Sequence, residues 1–316
     1  MFSAINIPRG KFGFRRFFSF RSESLLFINS VGNAWFQDAV PEIDAAIASA
    51  QAALGARSTR YYGASMGAYG ALLFALRRGD GDCLAFGPNI RLGLPGTHSA
   101  RYAVPTDGPY ADLTAIPPPR GHQLTVVFGT LDCVDMFAAS LLFGTPGYRL
   151  LFARSVHNCH QHFHDLGVVE AFRDAFVEGR LPTVPRVIRH EYADEQLLLR
   201  KEKIYRVWSD FLETGRVDED IGSDDIGDDF YRARLAYARK DMALAASALN
   251  RAIDGFETDP VLAVLPAGYR GRHYMLRAQA AMKLGDVARA RSDLHQAIRC
   301  RTKVQRCREL LDALPA

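Results

Sequence analysis

A serine lies between two glycines in the segment Gly63-Ala64-Ser65-Met66-Gly67. The residues before it, Thr59 to Tyr62, include the β-branched and aromatic side chains typical of a strand, and Ala68 to Leu76 is an apolar run of helical length. Glycines allow the backbone to turn where a Cβ atom would clash. The segment therefore predicts a strand, a sharp turn at the serine and a helix.

A strand, turn and helix of this kind form a nucleophile elbow, which exposes the serine hydroxyl above the edge of a sheet. The helix that follows places unpaired N–H groups and the positive end of its dipole beside the reacting carbon. We therefore expect Ser65 to be a catalytic nucleophile, and the N–H of Met66 to be one donor of an oxyanion hole.

Composition limits the class of protein. The chain has 316 residues, 48% of them hydrophobic, which is enough for two domains. No apolar run reaches the roughly 18 residues of a membrane span, and no signal peptide is visible, so we expect a cytoplasmic protein that does not bind membranes. The five cysteines form no CxxC pair, which predicts free thiols in a reducing compartment. The net charge of +4 includes no long block of like charge, so nucleic-acid binding is not expected.

Residues 1–185 alternate short strand patterns with amphipathic helical patterns, which predicts an α/β domain: a mostly parallel sheet with helices on both faces. Predicted helices cover residues 41–54 and 65–77, and residues 88–120 form an irregular loop rich in Pro and Gly, where a wall of a substrate pocket could lie. The predicted strands are Leu25 to Asn29, Thr59 to Gly63, Asp82 to Phe86, Leu124 to Phe128 and Tyr148 to Phe152.

Residues 186–316 lack strand patterns and predict a helical domain that begins with a long charged helix over residues 191–215. Residues 233–253 and 278–298 carry small residues in the same register, 45 residues apart. This spacing resembles the tetratricopeptide repeat, provided that residues 258–272 contain an insertion relative to that family's period of about 34 residues. Two ordinary Ala-rich helical hairpins are the alternative.

A nucleophilic serine needs a base, and the base needs an acid that fixes its tautomer. In the hydrolase order the acid follows the serine and the histidine comes last. The strand that ends near Gly129 is followed by Asp132 and Asp135, of which Asp132 is the first choice; the other would cap a helix. The next strand is followed by His157, which we expect to be the base.

Three more histidines, His160, His162 and His164, raise the alternative of a metal site. His160 and His164 have helical spacing, but they supply only two ligands on one face and lack the Glu of the zincin pattern. We therefore expect neither a metal nor another cofactor, and assign these histidines to the core or surface of a helix.

The second oxyanion donor should come from a loop after an earlier strand. Phe2-Ser3-Ala4 is the candidate, with Ser3 or Ala4 at the turn. A complete hydrolase sheet has more strands before this point. We therefore expect either a reduced sheet or further coding sequence upstream.

Residues 1 to about 170 resemble the α/β-hydrolase superfamily. More narrowly, they resemble small bacterial hydrolase-like proteins that accompany glycosyltransferases and tetratricopeptide-repeat modules in surface-polysaccharide loci. The matching features are Phe2-Ser3, Gly10 to Phe14, Asn33 to Gln37, Gly63 to Leu72, Ala85 to Pro88 and His157-Asn158. The chain departs from that group in its missing early strands and in having Gly-x-x-Asp where a paired acidic pattern is usual.

The resemblance implies acyl-ester or acyl-transfer chemistry on a small ester or an acylated saccharide. The alternative is an inactive hydrolase-like scaffold whose helical domain docks a protein partner such as a glycosyltransferase.

Overall fold

A parallel sheet of four strands forms the centre of the first half of the chain. The computed structural model describes residues 1–19, 22–189, 195–217 and 219–315. The strands lie in the order β1-β2-β3-β4, and every neighbouring pair is parallel. Their bounds are β1, Thr59–Ala64; β2, Gly81–Phe86; β3, Leu124–Gly129; and β4, Tyr148–Ala153. Because the strands are parallel, the segments that follow them all lie at the same edge of the sheet.

Helices connect and flank these strands, and helices joined by short loops form most of the second half. In the first half they are α1, Arg15–Phe18; α2, Val40–Leu54; α3, Met66–Arg78; α4, His98–Arg101; α5, Cys133–Ser140; α6, Cys159–Asp165; and α7, Val169–Val177. In the second half they are α8, Glu195–Thr214; α9, Ile226–Ala238; α10, Met242–Thr258; α11, Ala267–Leu284; α12, Val287–Arg299; and α13, Val304–Asp312.

Both faces of the sheet are covered. Tyr61 and Val126 point into a core that includes side chains of α2, α3 and α5, whereas their neighbours Tyr62 and Val127 point into a second core with side chains of α6 and α7. Successive residues of a strand point to opposite faces, so a sheet buried on both sides needs continuous apolar strands. The predicted α/β architecture with helices on both faces is therefore present, and four of the five predicted strands are found within one residue of their expected bounds.

The prediction of a fifth strand, Leu25 to Asn29, is wrong. In this segment only Ile28 forms an isolated bridge, to Phe2, which also bridges Gly63 of β1. Ser24, Leu25, Leu26 and Ile28, with residues of α2 and β1, line a groove of about 200 Å³. The apolar run has the composition of a strand, but it contacts its neighbour at one residue rather than along a ladder.

The second half contains two helical hairpins in the same register. α9 packs against α10 and α11 against α12, and the small residues that align in the two stretches, Ala233 with Ala278 and Ala245 with Ala290 among them, are all buried. Asp241 and Asp286 cap α10 and α12 by accepting hydrogen bonds from the N–H groups three residues further along the chain.

The predicted long helix over residues 191–215 corresponds to α8, and residues 191–194 lie outside the described part of the chain.

The helical half packs directly on the sheet half. The Phe137 and Tyr205 rings of α5 and α8 stack with their centroids 4.3 Å apart. A Cβ atom on Gly227 of α9 would lie 2.2 Å from the carbonyl oxygen of Leu131, so the α9 backbone touches the loop after β3. Helical residues therefore lie beside the carboxyl edge of the sheet.

Two further properties follow from the described residues. All five cysteines are free thiols. Across residues 1–19, 22–189, 195–217 and 219–315, no helix combines the length and the apolar character that crossing a bilayer requires.

Gly67→Ala is expected to destabilise the fold by about 3 kcal/mol or more. A Cβ atom at this position would lie 2.2 Å from the carbonyl oxygen of Phe2, and neither backbone can move aside as a side chain could. Urea unfolding followed by circular dichroism measures the effect. The control is Gly268→Ala, because Gly268 is likewise the second residue of a helix but has no atom within 4 Å of the added Cβ. Equal unfolding midpoints for the two variants would contradict the predicted clash.

Candidate active site

The candidate site lies where the strands end. Ser65 follows β1 and precedes α3 with φ 54° and ψ −120°, a backbone conformation that side-chain-bearing residues rarely adopt. Its N–H donates to the carbonyl of Phe86 at the end of β2, with an N···O distance of 2.8 Å. A Cβ atom on Gly63 would lie 2.0 Å from the Gly67 carbonyl oxygen, so both flanking glycines are required by close backbone contacts. The sharp turn predicted at Ser65 is confirmed.

Three side chains form one hydrogen-bonded chain at this edge. Ser65 Oγ lies 2.9 Å from His157 Nε2, and His157 Nδ1 lies 2.7 Å from Asp135 Oδ1. The serine follows β1, the acid lies in the first turn of α5 after β3, and the histidine follows β4. The His157 side chain is 22% exposed, whereas that of Asp135 is 3% exposed. The three hydrogen-bonded side chains therefore run from solvent at His157 to the protein interior at Asp135.

Asp132 makes different contacts. It is the N-cap of α5, where its carboxylate accepts hydrogen bonds from the N–H groups of Val134 and Asp135 and from the hydroxyl of Tyr231. Asp132 was the first choice from the sequence as the partner of the histidine, but it is Asp135 that contacts His157. Asp132 instead caps the helix that carries Asp135. One helical turn separates the two carboxylates and gives them these different roles.

Burial and pairing set the charges of the histidine and the acid. Burial raises the pKa of Asp135, and the positive charge of His157 only partly offsets this. Burial disfavours the protonated form of His157, but the charge and hydrogen bond of Asp135 outweigh it and raise the pKa of His157 to about 9. The pair therefore favours a protonated imidazole beside a carboxylate, the state that forms when a histidine accepts a proton.

Gly87 after β2 makes room for this pair. It has φ +59°, and a Cβ atom there would lie 3.0 Å from the His157 carbonyl oxygen and 3.3 Å from Asp135 Oδ2. A side chain at position 87 would press on both groups. Gly87 lies in Ala85 to Pro88, one of the segments that resemble the hydrolase group, but its position against His157 and Asp135 was not predicted.

The three predicted oxyanion donors are not equivalent. Met66 is the first residue of α3, so its N–H has no acceptor within the helix. The N–H of Ser3 donates to the carbonyl of Ile28 and is not available. Ala4 keeps a free N–H within the described residues, and the loop that carries it touches Gly67 through Phe2 and Ser3. Of the two alternatives, Ser3 and Ala4, only Ala4 therefore has an N–H that is not already hydrogen-bonded, and its role as an oxyanion donor stays a prediction.

The other histidines of the sequence analysis have structural contacts. His160 Nε2 lies 2.7 Å from the Tyr62 hydroxyl, and His162 bonds through both ring nitrogens, to Ser155 Oγ and to the Val261 carbonyl. His164 is exposed and lies near Glu170. In the part of the chain that the structure describes, no three His, Cys, Asp or Glu side chains converge as metal ligands would.

Residues distant in sequence form the rest of the surroundings. The ring centroid of His98, in α4, lies 5.6 Å from that of His157. Burial, together with the positive charges of His157, Arg101 and Arg272, lowers the pKa of His98 to about 4, so this ring is neutral near pH 7. A pocket wall was predicted within residues 88–120, which include His98, but His98, Tyr231 and Arg272 were not predicted as site residues, because no local pattern links them to Ser65.

Comparison with protein-family models, curated proteins and solved structures yields no match for this chain.

Proposed function

We propose that the chain is a serine hydrolase that cleaves an acyl ester through Ser65, His157 and Asp135. The observation that carries the proposal is the continuous hydrogen-bonded chain, 2.9 Å from hydroxyl to imidazole and 2.7 Å from imidazole to carboxylate. Its order along the sequence, serine, acid and histidine after successive strands, is the order of the hydrolase arrangement.

In the proposed reaction, Ser65 Oγ attacks the ester carbonyl while His157 Nε2 accepts the hydroxyl proton. Asp135 holds the imidazole in position and stabilises its protonated form. The N–H of Met66, with that of Ala4, donates to the oxygen of the tetrahedral intermediate. His157 then gives its proton to the leaving alcohol, and water, or a sugar hydroxyl in an acyl transfer, releases the acyl group from Ser65.

The proposed substrate is a small acyl ester or an acylated saccharide. The loop that carries His98 bounds one side of the site, and α9 touches the loop after β3 through Gly227. These two elements supply the residues that would contact the acyl and alcohol parts of the substrate.

An active-site-directed fluorophosphonate tests the proposal, since an activated serine displaces its fluoride and becomes phosphonylated. The expected result is one label per chain, located on Ser65 by mass spectrometry of the digested protein. Ser65→Ala should take up no label, and Ser58→Ala, an exposed serine just before the same strand, should label like the wild type. An unlabelled wild type would support the rival proposal, a scaffold whose helical half docks a partner such as a glycosyltransferase.

Ester hydrolysis is expected to rise with pH up to about 9. His157 must be neutral to accept a proton, and Asp135 raises the pKa of His157 to about 9. The fraction of enzyme with a neutral His157 therefore falls as the pH decreases below that value. Below the pKa, kcat/KM for p-nitrophenyl acetate should fall about tenfold per pH unit. A series of rate measurements, corrected with Ser65→Ala as the blank, gives the profile. A plateau that already begins near neutral pH would contradict the raised pKa.

A further inference from the structure

Two arginines beside the candidate site lack the carboxylate partners that their neighbours have. On α9, Arg232 pairs with Asp220 at 2.7 Å, and on α11, Arg277 pairs with Asp293 at 2.8 Å. Arg234 and Arg272 lie on the same two helices, and neither has an ion pair within the described residues. A guanidinium group held near a catalytic centre without an anion is available to bind one.

Arg234 is half-buried and positioned by stacking. Its guanidinium carbon lies 3.9 Å from the ring centroid of Trp208, and this ring packs against the loop of α4, where a Cβ atom on Gly96 would lie 3.1 Å from Trp208 Nε1. Three residues before Arg234 on the same face of α9, Tyr231 donates its hydroxyl hydrogen bond to Asp132. Arg234 therefore lies between the α4 loop and the loop after β3.

Arg272 is exposed, and the only polar contact of its side chain in the described structure is to the Gly268 carbonyl, 3.2 Å from Nε. Tyr269, three residues earlier on α11, belongs to the same apolar cluster as Leu131 and Val156, which directly precede Asp132 and His157. Residues three apart share one face of a helix, so Arg272 lies on the face of α11 that carries Tyr269 toward the loops of Asp132 and His157.

The charges near the two arginines agree with this placement. Burial is the main cause of the lowered pKa of Arg234, and the positive charge of Arg272 lowers it further. The same charge of Arg272 opposes the rise in the pKa of His157. The nearby carboxylates are already used, since Asp135 pairs with His157 and Asp132 accepts from two N–H groups and Tyr231. Asp132 still acts on Arg234 through its charge, but within the described residues no carboxylate forms an ion pair with Arg234 or Arg272.

We propose that Arg234 and Arg272 form an anion-binding subsite beside Ser65, and that the ester cleaved there carries an oxyanion group, either a carboxylate or a phosphate. This inference rests on the proposed hydrolase function and narrows its substrate class. The subsite orients the ester by binding its anionic end while Ser65 attacks the carbonyl. The helical half of the chain thereby supplies the substrate recognition, and the sheet half supplies the nucleophile.

The test compares esters of the same shape that differ in charge. The substrates are para-acetoxybenzoate and para-acetoxybenzamide, with para-acetoxyphenyl phosphate as the second anion. Wild-type kcat/KM is expected to favour the anionic esters by about tenfold or more, as for a hydrogen bond to a charged group. Arg272→Gln and Arg234→Gln should each reduce the ratio of anionic to neutral turnover to near one. The ratio cancels any effect of these substitutions on the pKa of His157.

Arg289→Gln is the matched control, because it removes one exposed charge from α12 in the same helical half and should leave the ratio unchanged. Preference for the phosphate or for the carboxylate identifies which oxyanion the subsite takes, and either supports it. A wild-type ratio of one, or a preference that survives both substitutions, overturns the subsite.

Calorimetric binding separates this inference from the proposed hydrolysis. In Ser65→Ala, para-hydroxybenzoate should bind more tightly than para-hydroxybenzamide, and Arg272→Gln should remove the difference. Equal binding of the two overturns the subsite. If the wild type cleaves no ester but this difference in binding is found, the hydrolase proposal fails and the anion site stands.

Discussion

Ser65→Ala is expected to lower kcat for p-nitrophenyl acetate by about a millionfold, the size of loss found when a catalytic serine is removed. The alanine cannot form the acyl-enzyme, and His157 then has no hydroxyl to deprotonate across the 2.9 Å contact. The remaining rate comes from polarisation of the carbonyl by the N–H groups at the start of α3. Stopped-flow release of p-nitrophenol should show a burst of one equivalent in the wild type and none in the variant.

His157→Ala should lose nearly as much activity as Ser65→Ala, and the double variant should lose no more than either single variant. Groups that act as one unit have strongly non-additive effects, because removing one member already disables the others. Ser58→Ala, at the opposite end of β1, serves as the control and should retain wild-type turnover. Unchanged turnover in Ser65→Ala, or losses that multiply in the double variant, would end the hydrolase proposal.

The sheet was predictable because each of its strands is recognisable from the composition of its own residues. β2 and β3 are buried on both faces, so they appear in the sequence as nearly continuous apolar runs between glycines. The segment around Leu25 has the same local composition, but a strand also needs a partner along its length. That partner is set by tertiary packing, where Ile28 bridges Phe2 alone.

The positions of Ser65 and His157 were predictable from motif and order, whereas the choice between Asp132 and Asp135 was not. Both carboxylates fall in the first turn after β3, and which one faces the histidine depends on which one caps the helix. The hydrogen bond from Tyr231 to Asp132 helps to fix that choice. Tyr231 lies on α9, 99 residues further along the chain, so the local sequence around Asp132 cannot predict this hydrogen bond.

The two carboxylates can be separated by experiment. Asp135→Asn is expected to lower kcat by about a thousandfold to ten-thousandfold, because an amide that donates to His157 fixes the wrong tautomer of the ring. Asp132→Asn should cost no more than a few-fold, since asparagine also caps helices well. Steady-state kinetics on p-nitrophenyl acetate, with circular dichroism to confirm folding, gives both numbers.

The pH profile supplies a second readout that a merely structural role would not change. The charge and hydrogen bond of Asp135 raise the pKa of His157, and Asp132 contributes less to the rise. Removing the Asp135 charge should therefore move the rise in activity to lower pH, whereas Asp132→Asn should move it only slightly in the same direction. A large loss in Asp132→Asn with a near-normal Asp135→Asn would reverse the assignment and would require His157 to turn away from the 2.7 Å contact with Asp135 when substrate binds.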